Sequence, residues 1–559
     1  MRNVQLPVGV SDFAEIRRNG YYYVDKSGLA AELVEMSAAK VTLITRPRRF
    51  GKTLGMSMLS HFFDIREDSR ELFEGLEISQ NAELCGAWMN CWPTLFLSFR
   101  TVDGLNFQSA YEMLVSVIAE AYKEHLYLLE SDKINDFDKE IFRRLVRKTA
   151  TQEEIKNSLG LLIRVMTEHY GRQVILLMDE YDVPVAKANA NHYYNEMLDV
   201  MKGILQALKD NTCLRLAVVT GCLKIAKESI FTGTNNFVSD TITASRLNEY
   251  FGFTQKDVDR LLAELGEEAH AGEIREWYDG YRFGDFDVYC PWDVMNYLRD
   301  LQGNPKARPE GYWKNTSDNA IIRSFIDHSG SSITRKMETL LAGGSVFQKV
   351  EEELTYDYLH ASEDNLWSIL YLTGYLTCAG EREGEERLKD GVYALKIPNL
   401  EIREIFETTV MKWFDESAKT WNRERLFAAV WSGDDGIVTE EMNRLLRKTI
   451  SYHDYREDFY HAFLAGIFAG AGYAVESNRE HGEGRSDLVV FDTARGYAAV
   501  FEIKYARAVE ELETSCQAAL RQMGRREYAE DFMDTYDHVL SYGVSFFRKK
   551  CLVKRAGGV

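Results

Sequence analysis

Apolar residues in the first half of this chain gather into short unbroken runs set between longer stretches of helical periodicity. Lys40-Val41-Thr42-Leu43-Ile44-Thr45, Gln173-Val174-Ile175-Leu176-Leu177-Met178 and Leu214-Arg215-Leu216-Ala217-Val218-Val219 are the clearest. Runs this short without polar alternation predict strands buried on both faces, and helices between them predict an open parallel α/β sheet. Thr254 is a candidate N-cap for a helix from Gln255 to Leu265, a small helical lid after the sheet. From about 310 to 435 the pattern is mostly helical. It is broken by an expected strand pair, Thr373-Gly374-Tyr375-Leu376 and Gly391 to Pro398, across a polar hairpin from Glu381 to Asp390. Helices with such a hairpin suit a winged-helix-like module. The turn Gly433-Asp434-Asp435-Gly436 marks the expected boundary of a last unit, giving domains at 1–245, 246–435 and 436–559.

The last unit carries the sharpest chemical signal. Gly484-Arg485-Ser486-Asp487-Leu488-Val489-Val490-Phe491 is followed by Tyr497-Ala498-Ala499-Val500-Phe501-Glu502-Ile503-Lys504, two strands that bring acids together. Strand periodicity puts Glu502 and Lys504 on one face. Asp487, Glu502 and the Ile503 carbonyl form a hard oxygen set suited to Mg²⁺, with Mn²⁺ as a substitute, and Lys504 stands ready to orient or activate a water. The chemistry implied is phosphodiester hydrolysis.

This segment resembles the PD-(D/E)XK nuclease superfamily, over about the last fifth of the chain. The resemblance implies a restriction-endonuclease-like α/β domain in which a glutamate on the preceding helix completes the metal shell. Tyr455 to Leu464 reads as that helix, with Glu457 as the match and Asp458 as the alternative. It also implies a polar helix after the lysine strand; of Gln517, Gln522 and Tyr528, Gln522 is the residue expected to reach the site. His453 and His461 are candidates for added ligands, but they lie eight apart and the favoured reading is ordinary helix-face histidines.

Between the first buried strand and the helix running to Phe63 lies Arg46-Pro47-Arg48-Arg49-Phe50-Gly51-Lys52-Thr53. It follows the phosphate-loop pattern G-x-x-x-x-G-K-[ST] except that Arg46 holds the first glycine position. In such a loop backbone N–H groups wrap phosphates, the lysine reaches the β- and γ-phosphates and the hydroxyl binds Mg²⁺. Gly51, Lys52 and Thr53 take those places, with Arg48 and Arg49 as further nucleotide-binding candidates. Asp179 and Glu180 end the second buried strand as a Walker B pair, Asp179 to hold the Mg²⁺ and Glu180 to polarise the attacking water. Thr220, at the end of the third, is placed as a sensor of the γ-phosphate.

Together with Leu6-Pro7-Val8-Gly9-Val10-Ser11-Asp12-Phe13 and Gly20-Tyr21-Tyr22-Tyr23-Val24-Asp25-Lys26-Ser27, this half resembles a bacterial AAA-ATPase-like family whose loop has the same Arg-Pro-Arg-Arg-Phe-Gly-Lys-Thr form. Members often carry a PD-(D/E)XK-like C-terminal domain, and the resemblance extends over nearly the full length. Trp277 to Gly284 and Tyr289 to Val294 resemble further motifs of the family; buried packing is the favoured reading of their aromatic residues over a base-binding surface.

At 559 residues the chain has room for two to four domains. Its net charge of −20 opposes a role in coating nucleic acid, yet 17 Lys and Arg stand against 19 Asp and Glu between 440 and 559, so the nuclease-like segment is near neutral. Eight scattered cysteines without CxxC pairs predict reduced thiols. No apolar run is long enough to span a bilayer and the first residues lack a signal-peptide core, so a cytoplasmic protein without a membrane partner is expected. These features lead to an expected ATP-binding protein whose nucleotide state controls a Mg²⁺-dependent nuclease, with DNA the expected substrate. The alternative is a nucleotide-dependent regulatory or partner-binding protein with a catalytically silent nuclease fold. A homo-oligomer or a regulatory protein partner stays open.

Overall fold

The computed structural model describes residues 4–35, 39–225, 237–313, 336–354 except 338 and 342, 363–379, 391–419, 424–449, and 457–556 except 470, 478–479, 482–483, 486, 494, 527–529, 534 and 549. Two compact units divide the chain: Met1–Ser317 with Ser345–Arg403, and Asp318–Gly344 with Glu404–Val559.

The first unit is built on a parallel sheet. Its strands β1 (Val41–Thr45), β2 (Thr94–Ser98), β3 (Val174–Asp179) and β4 (Leu214–Gly221) lie in the order β2-β3-β4-β1, with Phe237–Asp240 on the outer side of β1. Every residue of β1 and β3 is buried because helices cover both faces. Val41, Leu43, Leu176, Met178, Ala217 and Val219 pack with the helices Phe107–Lys123, Gln152–Tyr170 and Tyr194–Leu205. The alternate positions Ile44, Ile175, Leu177, Leu216 and Val218 pack with Gly28–Glu35 and Lys52–Phe63. The three strands expected from apolar runs are all present. β2 and Phe237–Asp240 were not anticipated.

The lid helix Gln255–Leu265 begins at Thr254, whose hydroxyl accepts the Asp257 N–H while the Asp257 carboxylate accepts the Thr254 N–H. Such a cap contributes about 1 kcal/mol. The helix Ala271–Tyr278, the hairpin Tyr281–Phe283 with Phe286–Val288, and the helix Pro291–Gly303 follow. Tyr278, Tyr281, Phe283 and Tyr289 are buried, so the aromatic motifs serve packing.

Farther on, Val346–Lys349, Thr377–Cys378 and Val392–Lys396 form a three-stranded antiparallel sheet beside the helix Glu363–Leu372. The strand expected at Thr373 to Leu376 starts instead at Thr377, because the helix persists to Leu372 and Gly374, at φ 89°, turns the chain first. The expected hairpin from Glu381 to Asp390 lies outside the described residues.

The second unit holds a mixed five-stranded sheet in the order Ala474–Ser477, Leu488–Asp492, Tyr497–Tyr505, His538–Phe547, Lys550–Arg555. Only the Tyr497–Tyr505 and His538–Phe547 pair is parallel. Leu488, Val490, Phe501 and Ile503 face a core shared with the helices Glu424–Ser432, Asp435–Thr449 and Glu457–Ala469. Val489, Phe491, Ala498 and Val500 face the opposite way, where Met523 of the helix Leu512–Arg526 covers them.

Candidate functional sites

In the first unit the carboxyl ends of β1, β3 and β4 converge on the loop 46–51. Gly51 caps the helix Lys52–Phe63 in the left-handed region, at φ 84°, a conformation that suits glycine. Lys52, 4% exposed, donates from Nζ to the carbonyls of Arg46 and Pro47, each at 3.1 Å, and lies 3.6 Å from Glu180 Oε1. Burial is the largest influence on this ammonium and works against its charge. The field of Cys222, Glu180, Asp179 and Asp182 outweighs it and leaves the pKa above the ordinary lysine value.

Asp179 closes β3 and accepts from two hydroxyls, Thr53 Oγ1 at 2.9 Å and Thr220 Oγ1 at 2.6 Å. Burial nevertheless raises its pKa. The sequence-predicted group Lys52, Thr53, Asp179, Glu180 and Thr220 is therefore brought together from three elements. Hydroxyl and carboxylate side by side supply hard oxygen donors fitted to the Mg²⁺ that accompanies a nucleotide. Asp182, just past this pair, accepts the Cys222 and Leu223 N–H groups, and the Tyr181 hydroxyl donates to the Leu223 carbonyl, so the chain leaving β4 is pinned beside Lys52.

The departure from the phosphate-loop pattern has a physical reason. Arg46 is wholly buried and points out of the cradle. Its guanidinium donates to the carbonyls of Thr45 and Asp240 and to Asn248 Oδ1, each at 2.8 Å, and to the Arg246 carbonyl at 3.3 Å. The rings of Phe251 and Phe283 each lie 5.4 Å from it. Burial lowers its pKa to about 10, so it remains a cation at neutral pH. A side chain that leaves the loop does not obstruct phosphate. Arg48 is exposed, whereas the Arg49 guanidinium stacks 4.0 Å over Trp292. Arg49 has φ 76°, a left-handed backbone that costs about 1–2 kcal/mol. Partly desolvated stacking of this kind is worth up to about 2 kcal/mol and offsets it.

In the second unit the two acidic strands meet as the spacing predicts. Asp487 Oδ2 accepts the Ile503 N–H at 2.7 Å, across the strand pair. Lys504 Nζ donates to Glu502 Oε1 at 3.1 Å, and Glu502 is 0% exposed. Burial pushes the Asp487 carboxyl up, but His461, the Ile503 N–H and Lys504 together bring it below the usual carboxylate value. Two carboxylates with the Ile503 carbonyl are a donor set fitted to a hard divalent ion. Among the described residues no three His, Cys, Asp or Glu side chains converge as a metal cluster.

His461 is the residue that sequence reasoning weighed as a ligand and set aside. It is buried, with Nε2 3.4 Å from Asp487 Oδ1, and is no ordinary helix-face histidine. The available signal was its position four residues after Glu457, one turn along the same helix. Glu457 and Asp458 open that helix; their side chains, His453 and Tyr528 lie outside the described residues. Gln522 is half-buried on the helix Leu512–Arg526, and Gln517 is turned to Glu513 of its own helix.

Comparison with known proteins agrees with this arrangement. Residues 7–231 match the family described as predicted AAA-ATPase, and residues 455–556 match the PD-(D/E)XK nuclease superfamily. An uncharacterised protein in the vnfD 5′ region of Azotobacter chroococcum mcd 1 is 26% identical over 560 residues, covering 98% of this chain and 97% of its own length. No helix among the described residues is long and apolar enough to cross a membrane. The chain thus joins an AAA-ATPase-like domain to a domain of the PD-(D/E)XK nuclease superfamily.

Proposed function

We propose that this is an ATP-binding protein whose nucleotide state controls a divalent-metal-dependent nuclease acting on DNA. The observation that carries the nuclease reading is the pairing of Asp487 with the Ile503 N–H beside the Lys504–Glu502 contact. A bound Mg²⁺ or Mn²⁺ would supply Lewis acidity toward the phosphate and a more acidic water. Asp487, Glu502 and the Ile503 carbonyl would hold it, with Glu457 and His461 at its margin. Lys504, kept in place by Glu502, orients the attacking water or steadies the charge that develops on the phosphate, and Gln522 approaches from the following helix. In the first unit the loop N–H groups, Lys52, Arg48 and Arg49 take the phosphates, Thr53 and Asp179 the accompanying metal, Thr220 senses the terminal phosphate through Asp179, and Glu180 polarises water.

The test is cleavage of labelled single- and double-stranded DNA and RNA with Mg²⁺ or Mn²⁺, by the wild type and by Lys504→Ala. Metal-dependent cutting of DNA that disappears in the variant supports the reading. Cutting that survives in Lys504→Ala contradicts the site, and folded protein that cuts nothing favours a regulatory protein with a silent nuclease fold.

A further inference from the structure

Two buried carboxyls stand behind the nucleotide loop, and none of the roles above uses them. Asp293 is the third residue of the helix Pro291–Gly303 and Glu401 the second of the helix Leu400–Lys419; both are 0% exposed. Oε1 of Glu401 accepts the Trp313 N–H at 2.7 Å. No donor among the described residues reaches Glu401 Oε2 or either oxygen of Asp293 in hydrogen-bonding geometry. The side-chain contacts these oxygens make are with each other and, for Asp293, with the Cys290 thiol. Two carboxyl groups in a dry site can share a hydrogen bond only if one carries the proton, and repulsion forbids a second charge.

The surroundings fix where the remaining charge acts. Burial raises both acids; among the described residues Asp293 faces the Cys290 thiol and the Arg49 cation whereas Glu401 faces no cation, so the proton is assigned to Glu401 and the charge to Asp293. Both acids sit in the first turn of a helix, where the dipole favours an anion, so the dipole supports one charge on the pair without choosing between them. Among the described residues the other titratable groups facing the pair are the Cys290 thiol and the phenols of Tyr278 and Tyr281. Burial pushes all three well up, so they stay neutral. Among the described residues the cation that faces it is Arg49, which stacks on Trp292, the residue before Asp293, and whose carbonyl lies 3.9 Å from Cys290 Sγ.

We propose that Asp293 and Glu401 share one proton, and that the single negative charge they keep positions Arg49, and with it the nucleotide loop, to meet the terminal phosphate of ATP. This rests on the ATP-binding reading above. Trp292 holds the arginine by stacking, and Asp293, the next residue, acts on it through its field without a direct hydrogen bond. Asp293 and Glu401 are positioning residues and do not themselves touch nucleotide.

The test titrates full-length wild type, Asp293→Asn, Glu401→Gln and Arg49→Ala with ATP and with ADP across a range of pH, with thermal melting as the check of folding. Infrared spectra of wild type and Glu401→Gln at neutral pH read the shared proton directly. Asp293→Asn and Arg49→Ala should each lose about tenfold or more in ATP affinity and much less for ADP. The loss in Asp293→Asn should exceed that in Glu401→Gln, because the glutamine replaces a group that is already neutral. Wild-type affinity for ATP should fall on acidification that protonates Asp293, and this dependence should vanish in Asp293→Asn. The infrared band of a protonated carboxyl should be present in wild type and missing in Glu401→Gln. Equal losses in the two amide variants, an unchanged ATP preference in Asp293→Asn, or no such band overturns the proposal. Wild type that keeps the band but binds no ATP overturns the positioning role by way of the ATP reading, a failure distinct from that of the shared proton.

Discussion

Asn248 Oδ1 accepts a 2.8 Å hydrogen bond from the guanidinium of Arg46, the residue that stands where an ordinary phosphate loop has its first glycine. The loop is thereby tied through a side chain to a segment some 200 residues later in the sequence. Arg46→Gly restores the usual loop pattern, yet it strips donors from the Thr45, Asp240 and Arg246 carbonyls and from Asn248. Unfolding free energy should drop by about 3 kcal/mol or more, and ATP affinity should fall with it. Arg46→Lys should rescue little, since an ammonium cannot reproduce the planar fork. Denaturant melts and nucleotide titrations check both expectations; an Arg46→Gly protein that binds ATP more tightly contradicts them.

Lys52 and Glu180 lie 3.6 Å apart, and the proposed function gives them separate parts, binding to the lysine and hydrolysis to the glutamate. Lys52→Ala should weaken ATP binding by about tenfold or more, because it removes the cation aimed at the phosphates. Glu180→Gln should still bind ATP while hydrolysis slows by about a hundredfold. Equilibrium titration beside steady-state phosphate release separates the two. Hydrolysis unchanged in Glu180→Gln would remove the glutamate from its role.

His461 helps hold Asp487 below the usual carboxylate range, where the acid is ionised and able to bind a cation. A carboxyl whose folded value is depressed stabilises the fold above its unfolded value, near 4, and that contribution is lost as pH falls through the folded value. His461→Ala should therefore move the acidic limb of metal-dependent cleavage to higher pH. A pH–rate profile that does not move would show that the histidine does not tune Asp487.

Glu401 gives the opposite sign. Its folded value is raised by burial and by Asp293, so the folded chain holds a proton that the unfolded chain releases. Stability from this group is greatest in acid and declines as pH rises above the unfolded carboxyl value toward the folded one. Glu401→Gln, which needs no proton, should be more stable than wild type at pH 7 by roughly 1–3 kcal/mol, and the gap should widen with pH. Paired thermal melts across pH measure it, and a variant less stable at every pH would contradict the assignment.

How far the chain reveals itself in advance depends on the element. β1, β3 and β4 announce themselves because strands covered on both faces must be apolar throughout, and Thr254 announces its helix through the cap it forms. β2 escapes because its five residues, Thr94–Ser98, are too short to be told from a buried helical turn. The shared face of Glu502 and Lys504 was legible because a two-residue period fixes their side in a strand. The roles of Arg46 and His461 were not, since both depend on partners brought near only by the tertiary fold. The same holds for Asp293 and Glu401, which are 108 positions apart in the sequence.

Control of the nuclease by nucleotide is tested most directly by the rate at which full-length protein cleaves labelled duplex DNA in Mg²⁺ with and without ATP, measured beside Lys52→Ala. A rate that changes with ATP in the wild type, and is the same with and without ATP in Lys52→Ala, is the predicted result. Cleavage that ignores ATP in the wild type, or responds equally in the variant, would contradict it.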